Sequence, residues 1–125
     1  MRQLGQLEAV VMNRLWVWDT PATVREVLED LQQERSIAYT TVMTVMDNLH
    51  RKGMLSRQVH GRAYRYEAVQ SRDEHTASMM NEVLAGSSDR AATLMHFLEH
   101  ISPDEVVRLR QALMQAGHGN KQSRQ

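Results

Sequence analysis

At Gly53 the hydrophobic period of the chain changes from helical to alternating, which ties an amphipathic helix directly to a β-hairpin. Residues 39–53 read Y-T-T-V-M-T-V-M-D-N-L-H-R-K-G. Val42, Val45, Met46 and Leu49 recur at helical spacing and predict one buried face. The opposite face carries Thr40, Thr44, Asp47 and Arg51, flanked by Thr41, Met43 and Asn48. Such a face is small, polar and almost free of long acidic groups, so it suits close approach to another surface. Arg51 and Lys52 put cations in the last turn, where the helix dipole favours them, and Gly53 is a C-cap glycine. Beyond it, Leu55, Arg57 and Val59 alternate with Ser56 and Gln58. His60-Gly61-Arg62 supplies a turn, after which Tyr64, Tyr66 and Ala68 share one face and Ala63, Arg65 and Glu67 the other. Two alternating runs around a short glycine turn predict a β-hairpin.

Upstream, Gln6 to Trp18 predicts a helix with Leu7, Val10, Val11, Leu15 and Trp18 inward, broken by Asp19-Thr20-Pro21. Thr23-Val24-Arg25-Glu26 is a capping box opening a second helix to about Glu34, with Val24, Val27, Leu28 and Leu31 inward. Ser36-Ile37-Ala38 predicts a single short strand. Helix, helix, short strand, helix and hairpin is the order of a winged helix-turn-helix. Downstream the chain is helical again. Ser71-Arg72-Asp73-Glu74 caps a helix to about Ala85 with Ala77, Met80, Val83 and Leu84 inward. A helix from about Asp89 carries Ala91, Leu94, Met95, Leu98 and Ile101. Ser102-Pro103-Asp104-Glu105 caps a last helix with Val106, Val107, Leu109, Leu113 and Met114, ending at Gly117.

The expected fold class is therefore mainly α with a small β-hairpin wing. A winged-helix domain spans residues 1–70, a helical dimerisation domain 71–117 and a disordered polar tail 118–125. Three short helices cannot bury all these apolar faces among themselves, and a second copy of the segment is the simplest cover. Met95, Leu98, Ile101, Val106, Leu109 and Leu113 are the expected contacts of a homodimer. The other solution is that these helices fold back on the first domain.

The net formal charge is zero, but its distribution is not even. From Arg35 to Tyr66 the chain carries Arg35, Arg51, Lys52, Arg57, Arg62 and Arg65 against Asp47 alone, a local balance of +5. From Ser71 onward the balance is −1. Positive charge thus gathers around the third helix and the hairpin, the footprint of a double-stranded DNA partner. A major groove admits an α-helix, and hydroxyls, backbone N–H groups and cations bind the phosphates on its rims. Thr40, Thr41 and Thr44 suit phosphates, base edges and thymine methyls. Met43 is an apolar probe of the groove floor, and Asn48 reaches a base edge or phosphate. Arg51 sits where the helix leaves the groove. Arg62 at the hairpin tip, with Arg57 and Arg65 behind it, suits a wing on the backbone or in the minor groove. Asp47 is discordant: it either pairs with Arg51 at i+4 or accepts from a cytosine amine. A charge run by itself is usually a solvated face, and a winged helix that binds protein as an adaptor is the alternative; the element order favours DNA.

No cysteine is present, which excludes a disulfide scaffold, a thiolate zinc site and a cysteine nucleophile. No apolar run is long enough to span a bilayer and the N-terminus is no signal peptide, so a cytoplasmic protein is expected. His96-Phe97-Leu98-Glu99-His100 spells H-x-x-E-H, a zinc-protease pattern. No further motif supplies a third ligand, so no metal, cofactor or catalytic residue is expected. His50, His60, His75 and His118 are scattered and read as surface residues, of which His50 and His60 are within reach of a phosphate.

Three segments together resemble the penicillinase repressor (BlaI/MecI) family: L-G-Q-L-E-A-V-V-M-N-R-L-W in the first helix, A-Y-T-T-V-M-T-V-M-D-N-L-H-R-K-G-M-L in the third, and G-R-A-Y-R-Y-E-A-V in the wing. H-F-L-E-H-I-S-P-D-E-V-V-R-L-R resembles the family's dimerisation region. The resemblance implies a dimeric transcriptional repressor on a palindromic operator, controlling a β-lactam response or another stress regulon. Thr40, Thr41, Met43, Thr44, Asn48 and Arg62 match places where such proteins contact DNA. It also implies relief by C-terminal cleavage by a regulatory protease, or by another signal. The bond at the place of the family's Asn–Phe cleavage is His96–Phe97 here. Copper-responsive members carry a cysteine-rich C-terminal motif that this chain does not have.

Overall fold

The computed structural model describes residues 4–123, with side chains described through Gly117. The elements are α1 (Gln6–Trp18), α2 (Val24–Gln32), α3 (Tyr39–Arg51), β1 (Leu55–His60), β2 (Ala63–Ala68), α4 (Arg72–Ala85), α5 (Arg90–Leu98) and α6 (Pro103–Ser123). One compact unit runs through Asn81 and a second begins at Glu82.

In the first unit, α1, α2 and α3 enclose one core that the hairpin closes. Val11, Met12, Val27, Leu31, Val42, Met46 and Leu49 are completely buried, with Leu55 and Tyr66 added from the strands. The α3 face expected from the helical spacing is the buried one, except that Val45 is only half-buried. In α1 the inward stripe is Val11, Met12 and Leu15, while Leu7, Val10 and Trp18 sit at its margin.

Two expected capping boxes frame the domain. Thr23 Oγ1 accepts from the Glu26 N–H and Glu26 Oε1 from the Thr23 N–H. Ser71 and Glu74 do the same for α4. A further half-box stands at α1, where Glu8 Oε1 accepts the Gly5 N–H at 2.8 Å. The α3 stop is a Schellman turn: Gly53 at φ 81° sends its N–H to the His50 carbonyl, and Met54 sends its own to Leu49. The strands pair antiparallel from Leu55↔Ala68 to His60↔Ala63, leaving Gly61-Arg62 as a two-residue turn. Gly61 takes φ 65°, as the first position of a type I′ or II′ hairpin turn requires.

The short strand expected at 36–38 does not form. The hairpin's third partner is Ala22, which exchanges two backbone hydrogen bonds with Tyr66 at 2.9 and 2.8 Å. Pro21, its φ fixed by the ring and with no N–H to donate, directly precedes Ala22 at the sheet edge.

The same Glu8 oxygen accepts Lys52 Nζ at 2.7 Å, tying α1 to the end of α3. Burial acts to raise the Glu8 pKa, but the hydrogen bonds from Lys52 and Gly5 and the Lys52 charge outweigh it and the net shift is downward. A lowered carboxyl pKa contributes stability that is full above the unfolded value and lost as pH falls through the folded one. Glu8→Gln is therefore expected to lower stability at neutral pH by roughly 1 kcal/mol. The urea midpoints of wild type and variant should converge as pH drops below the ordinary glutamate range. A constant gap down to the lowest pH at which both stay folded would show that the ion pair is not its source.

Beyond the first unit, α5 and α6 form a helical segment. The third capping box is present, with Glu105 and Ser102 exchanging hydrogen bonds at the start of α6. α6 continues past the Gly117 stop to Ser123; of the tail expected over 118–125, residues 124 and 125 lie outside the described residues. No side chain of α4 or α5 is buried, nor is any described one of α6. Met80 and Val83 of α4, expected inward, are exposed.

Candidate nucleic-acid interface

The outer face of α3, the first turn of α2 and the hairpin surround an open groove of about 710 Å³. From α3 it is lined by Tyr39, Met43, Thr44, Asp47, Asn48 and Arg51; from the hairpin by Arg57, Arg62, Ala63, Tyr64 and Tyr66. Thr23, Val24 and Arg25 close the α2 side. Of the residues expected from sequence to meet DNA, Met43, Thr44, Asn48, Arg51 and Arg62 come together here. Thr40 and Thr41 are exposed on the first turn of α3, outside the groove. Arg65 lines the other face of the hairpin, with Pro21, Gln58 and His60, because strand alternation turns it away from Tyr64 and Tyr66.

Helical spacing explains the α3 rim. Met43, Asp47 and Arg51 stand four apart and stack along one line, opposite Val42, Met46 and Leu49. Met43 is 42% exposed, an apolar side chain presented to whatever fills the groove. The hairpin grades along its length. At its base Leu55 and Tyr66 are in the core; at its tip Val59 and Tyr64 are exposed.

Asp47 pairs with two cations. Its Oδ2 lies 2.7 Å from Arg51 Nη2 and its Oδ1 3.2 Å from Arg57 Nη1. The first pair is the i+4 contact expected from sequence. The second reaches across to the wing and was not foreseen. Arg57 also donates to the Tyr66 hydroxyl at 3.5 Å and holds its guanidinium 4.3 Å above the Tyr64 ring. Its pKa is raised further, first by the Tyr66 hydrogen bond and then by Tyr64 and Asp47, so it is charged throughout. Arg57 is the residue that sequence reasoning left behind the wing and that the fold places at its hinge with α3. The register carries the signal: Arg57 pairs with Tyr66 on the inner face of the hairpin.

Arg25 is the other addition. It sits in the first turn of α2, where the helix dipole disfavours a cation, and packs 5.8 Å from the Tyr39 ring centre. A basic residue at a helix N-terminus is the sequence signal that went unused.

At the far end of the first unit, Trp16 donates from Nε1 to the Gln70 carbonyl at 2.9 Å. Arg72 lies over its ring and donates to Asn13, and His75 packs beside it at 5.5 Å. His75 is thus half-buried and anchors the start of α4, contrary to its reading as a surface residue. His118 lies outside the described side chains.

The H-x-x-E-H stretch does not lie on one helix. α5 ends at Leu98, Glu99 is its C-cap, and His100 and Ile101 follow outside it, where continuation to Ile101 was expected. His96 Nδ1 is 3.8 Å from Glu99 Oε2 with both side chains exposed. Among the described residues, no group of three acidic or histidine side chains is placed to hold a metal ion.

Three helices closed by a two-stranded wing, with a cation-rimmed groove between the third helix and that wing, define a winged-helix protein. The chain matches the penicillinase repressor family over residues 4–115 and belongs to it. It is 44% identical to the transcriptional regulator BlaI of Mycobacterium tuberculosis strain H37Rv, over 97% of this chain and 91% of that protein. It is 23% identical to the methicillin resistance regulatory protein MecI of Mammaliicoccus sciuri, over 89% and 93%. Among solved structures it is similar to the hsRosR-S4 complex, with a TM-score of 0.53 and 13% identity over 86% of this chain and 94% of that one. That last likeness is one of fold alone. No helix among the described residues is long and apolar enough to cross a membrane.

Proposed function

We propose that the protein is a cytoplasmic transcriptional repressor that binds a palindromic duplex as a homodimer. α3 enters the major groove, Met43, Thr44 and Asn48 face base edges, and Arg51 and Arg62 meet phosphates on its rims. The observation that carries this reading is the groove itself: a polar α3 face and a cationic hairpin tip line one concave surface. Thr40, Thr41 and Arg65, outside the groove, serve as phosphate contacts at its flanks. The homodimer is supported by apolar side chains that a single chain leaves uncovered. Met95, Leu98, Leu109 and Leu113 are all exposed, Leu113 by 72%; Ile101 and Val106 are half-buried and complete the proposed contact. The names of the BlaI and MecI relatives favour a resistance or related stress regulon as the target.

Relief of repression by a regulatory protease at His96–Phe97 is part of the same proposal. Both side chains are exposed, and the carbonyls of both residues accept hydrogen bonds that finish α5. A protease that takes extended chain must first unwind that turn, so cleavage is expected to be slow in the folded state.

A salt titration of duplex binding tests the DNA reading. The wild-type protein should bind random duplex at low salt and lose affinity steeply as salt rises. Arg62→Ala should weaken binding to every sequence and reduce the salt slope by about 1 for each subunit bound, about 2 for the dimer. An unchanged slope would remove the wing from the phosphates. Absence of any binding at low salt would favour a protein-binding adaptor.

A further inference from the structure

We propose that Asp47 is a specificity-determining residue that acts by restraining two arginines, not by touching DNA. The inference rests on the DNA reading above. Asp47 lies in the middle of the α3 face that would approach the phosphates, where a carboxylate is repelled. A free carboxylate there would only weaken binding. The geometry gives it a second role. One oxygen holds Arg51, four residues along the same helix, and the other holds Arg57 across the groove on β1.

The two cations differ in what else restrains them. Arg57 is also fixed by the Tyr66 hydroxyl and the Tyr64 ring, and Tyr66 is itself buried. It remains aimed at α3 with or without a phosphate nearby. Arg51 is 74% exposed along its side chain, and Asp47 is the carboxylate that orients it. A long, mobile guanidinium reaches a phosphate on any duplex at small entropic cost. A guanidinium already engaged by a carboxylate has to exchange that partner for the phosphate. The exchange repays itself only where the backbone is presented at the right distance and angle. Asp47 thus lowers affinity for all DNA and lowers it most for duplexes that do not fit, which raises the ratio between them. Through Arg57 it also holds the wing against α3, so the spacing between the two DNA-facing elements is part of what is selected.

Asp47→Asn keeps the side chain's size and removes its charge. The probes are a random duplex and a duplex selected by the wild-type protein from a randomised pool. The variant is expected to bind random duplex tighter, with a salt slope steeper by about 1 for each subunit bound. The selected duplex should gain less or lose, so that the selected-to-random ratio falls by about tenfold. Adding Arg51→Gln should abolish the extra affinity for random duplex and the steeper slope without restoring the wild-type ratio, because the released cation is then gone from both duplexes; a steeper slope that persists would overturn the assignment of the effect to Arg51. An equal gain on both duplexes would reduce Asp47 to simple repulsion and overturn the proposal. An equal loss on both, with no change of slope and a lowered urea midpoint, would make it a structural residue and overturn it as well. Failure of the wild-type protein to bind any duplex overturns the DNA reading itself, an outcome distinct from either.

Discussion

A chain cut after Ile101 is expected to sediment as a monomer and to bind a palindromic duplex roughly 10²–10⁴-fold more weakly than the full-length protein. Among the described residues, every buried side chain lies between Val11 and Tyr66, so the cut leaves the core of the first unit whole. What it removes is α6, with Leu109, Leu113 and Met114 exposed on the isolated chain. In a dimer, binding of one subunit presents the second to its half-site at an effective concentration in the millimolar range. In a monomer, that second event depends on the free protein concentration. The loss is therefore one of avidity, and each half-site should be contacted as before. Sedimentation velocity and a gel shift on the same samples check both parts. A truncated chain that remains a dimer would remove α6 from the interface and leave pairing to the helices before it.

The sequence was most legible where one periodicity ran for several turns. Val42, Met46 and Leu49 are buried as expected because their spacing leaves one choice of face. The hairpin register follows from Gly61, which alone could take the positive φ of the first turn position. Less legible were contacts that join elements distant in sequence. The Ala22–Tyr66 bridge, the Lys52–Glu8 pair and the Asp47–Arg57 pair depend on the packing angle between elements, and no local pattern encodes it. The same reason hid Met12, which is completely buried in the core that α1 shares with the other elements. The end of α5 was missed differently. Leu98 and Ile101 keep helical spacing, but the chain must leave the helix ahead of the Ser102 cap, and two turn residues intervene. At the candidate site, the α3 residues were legible from amphipathicity. Arg25 and Arg57 were not, since each is defined by a tyrosine it meets from another element.

Leu49→Ala is expected to separate the two halves of the molecule in the opposite sense from truncation. Leu49 is completely buried, and its carbonyl receives the Met54 N–H in the turn that joins α3 to the wing. Removing three buried carbons leaves a cavity in the core behind α3, and changes of this kind cost about 2–5 kcal/mol. A small domain has about 5–15 kcal/mol in total, so the first unit should be partly unfolded on modest warming. The groove residues then lose their common frame, and duplex binding should fall with the folded fraction. Excess duplex should restore part of the lost stability, because DNA binds the folded form alone. Self-association need not follow, since the apolar surface assigned to it lies on α5 and α6 and contributes nothing to that core. The measurements are a urea midpoint with and without selected duplex, and sedimentation at the temperature where binding has gone. Loss of the dimer in step with the core would mean that pairing draws on the first unit, and α1 to α3 would then have to carry part of the interface.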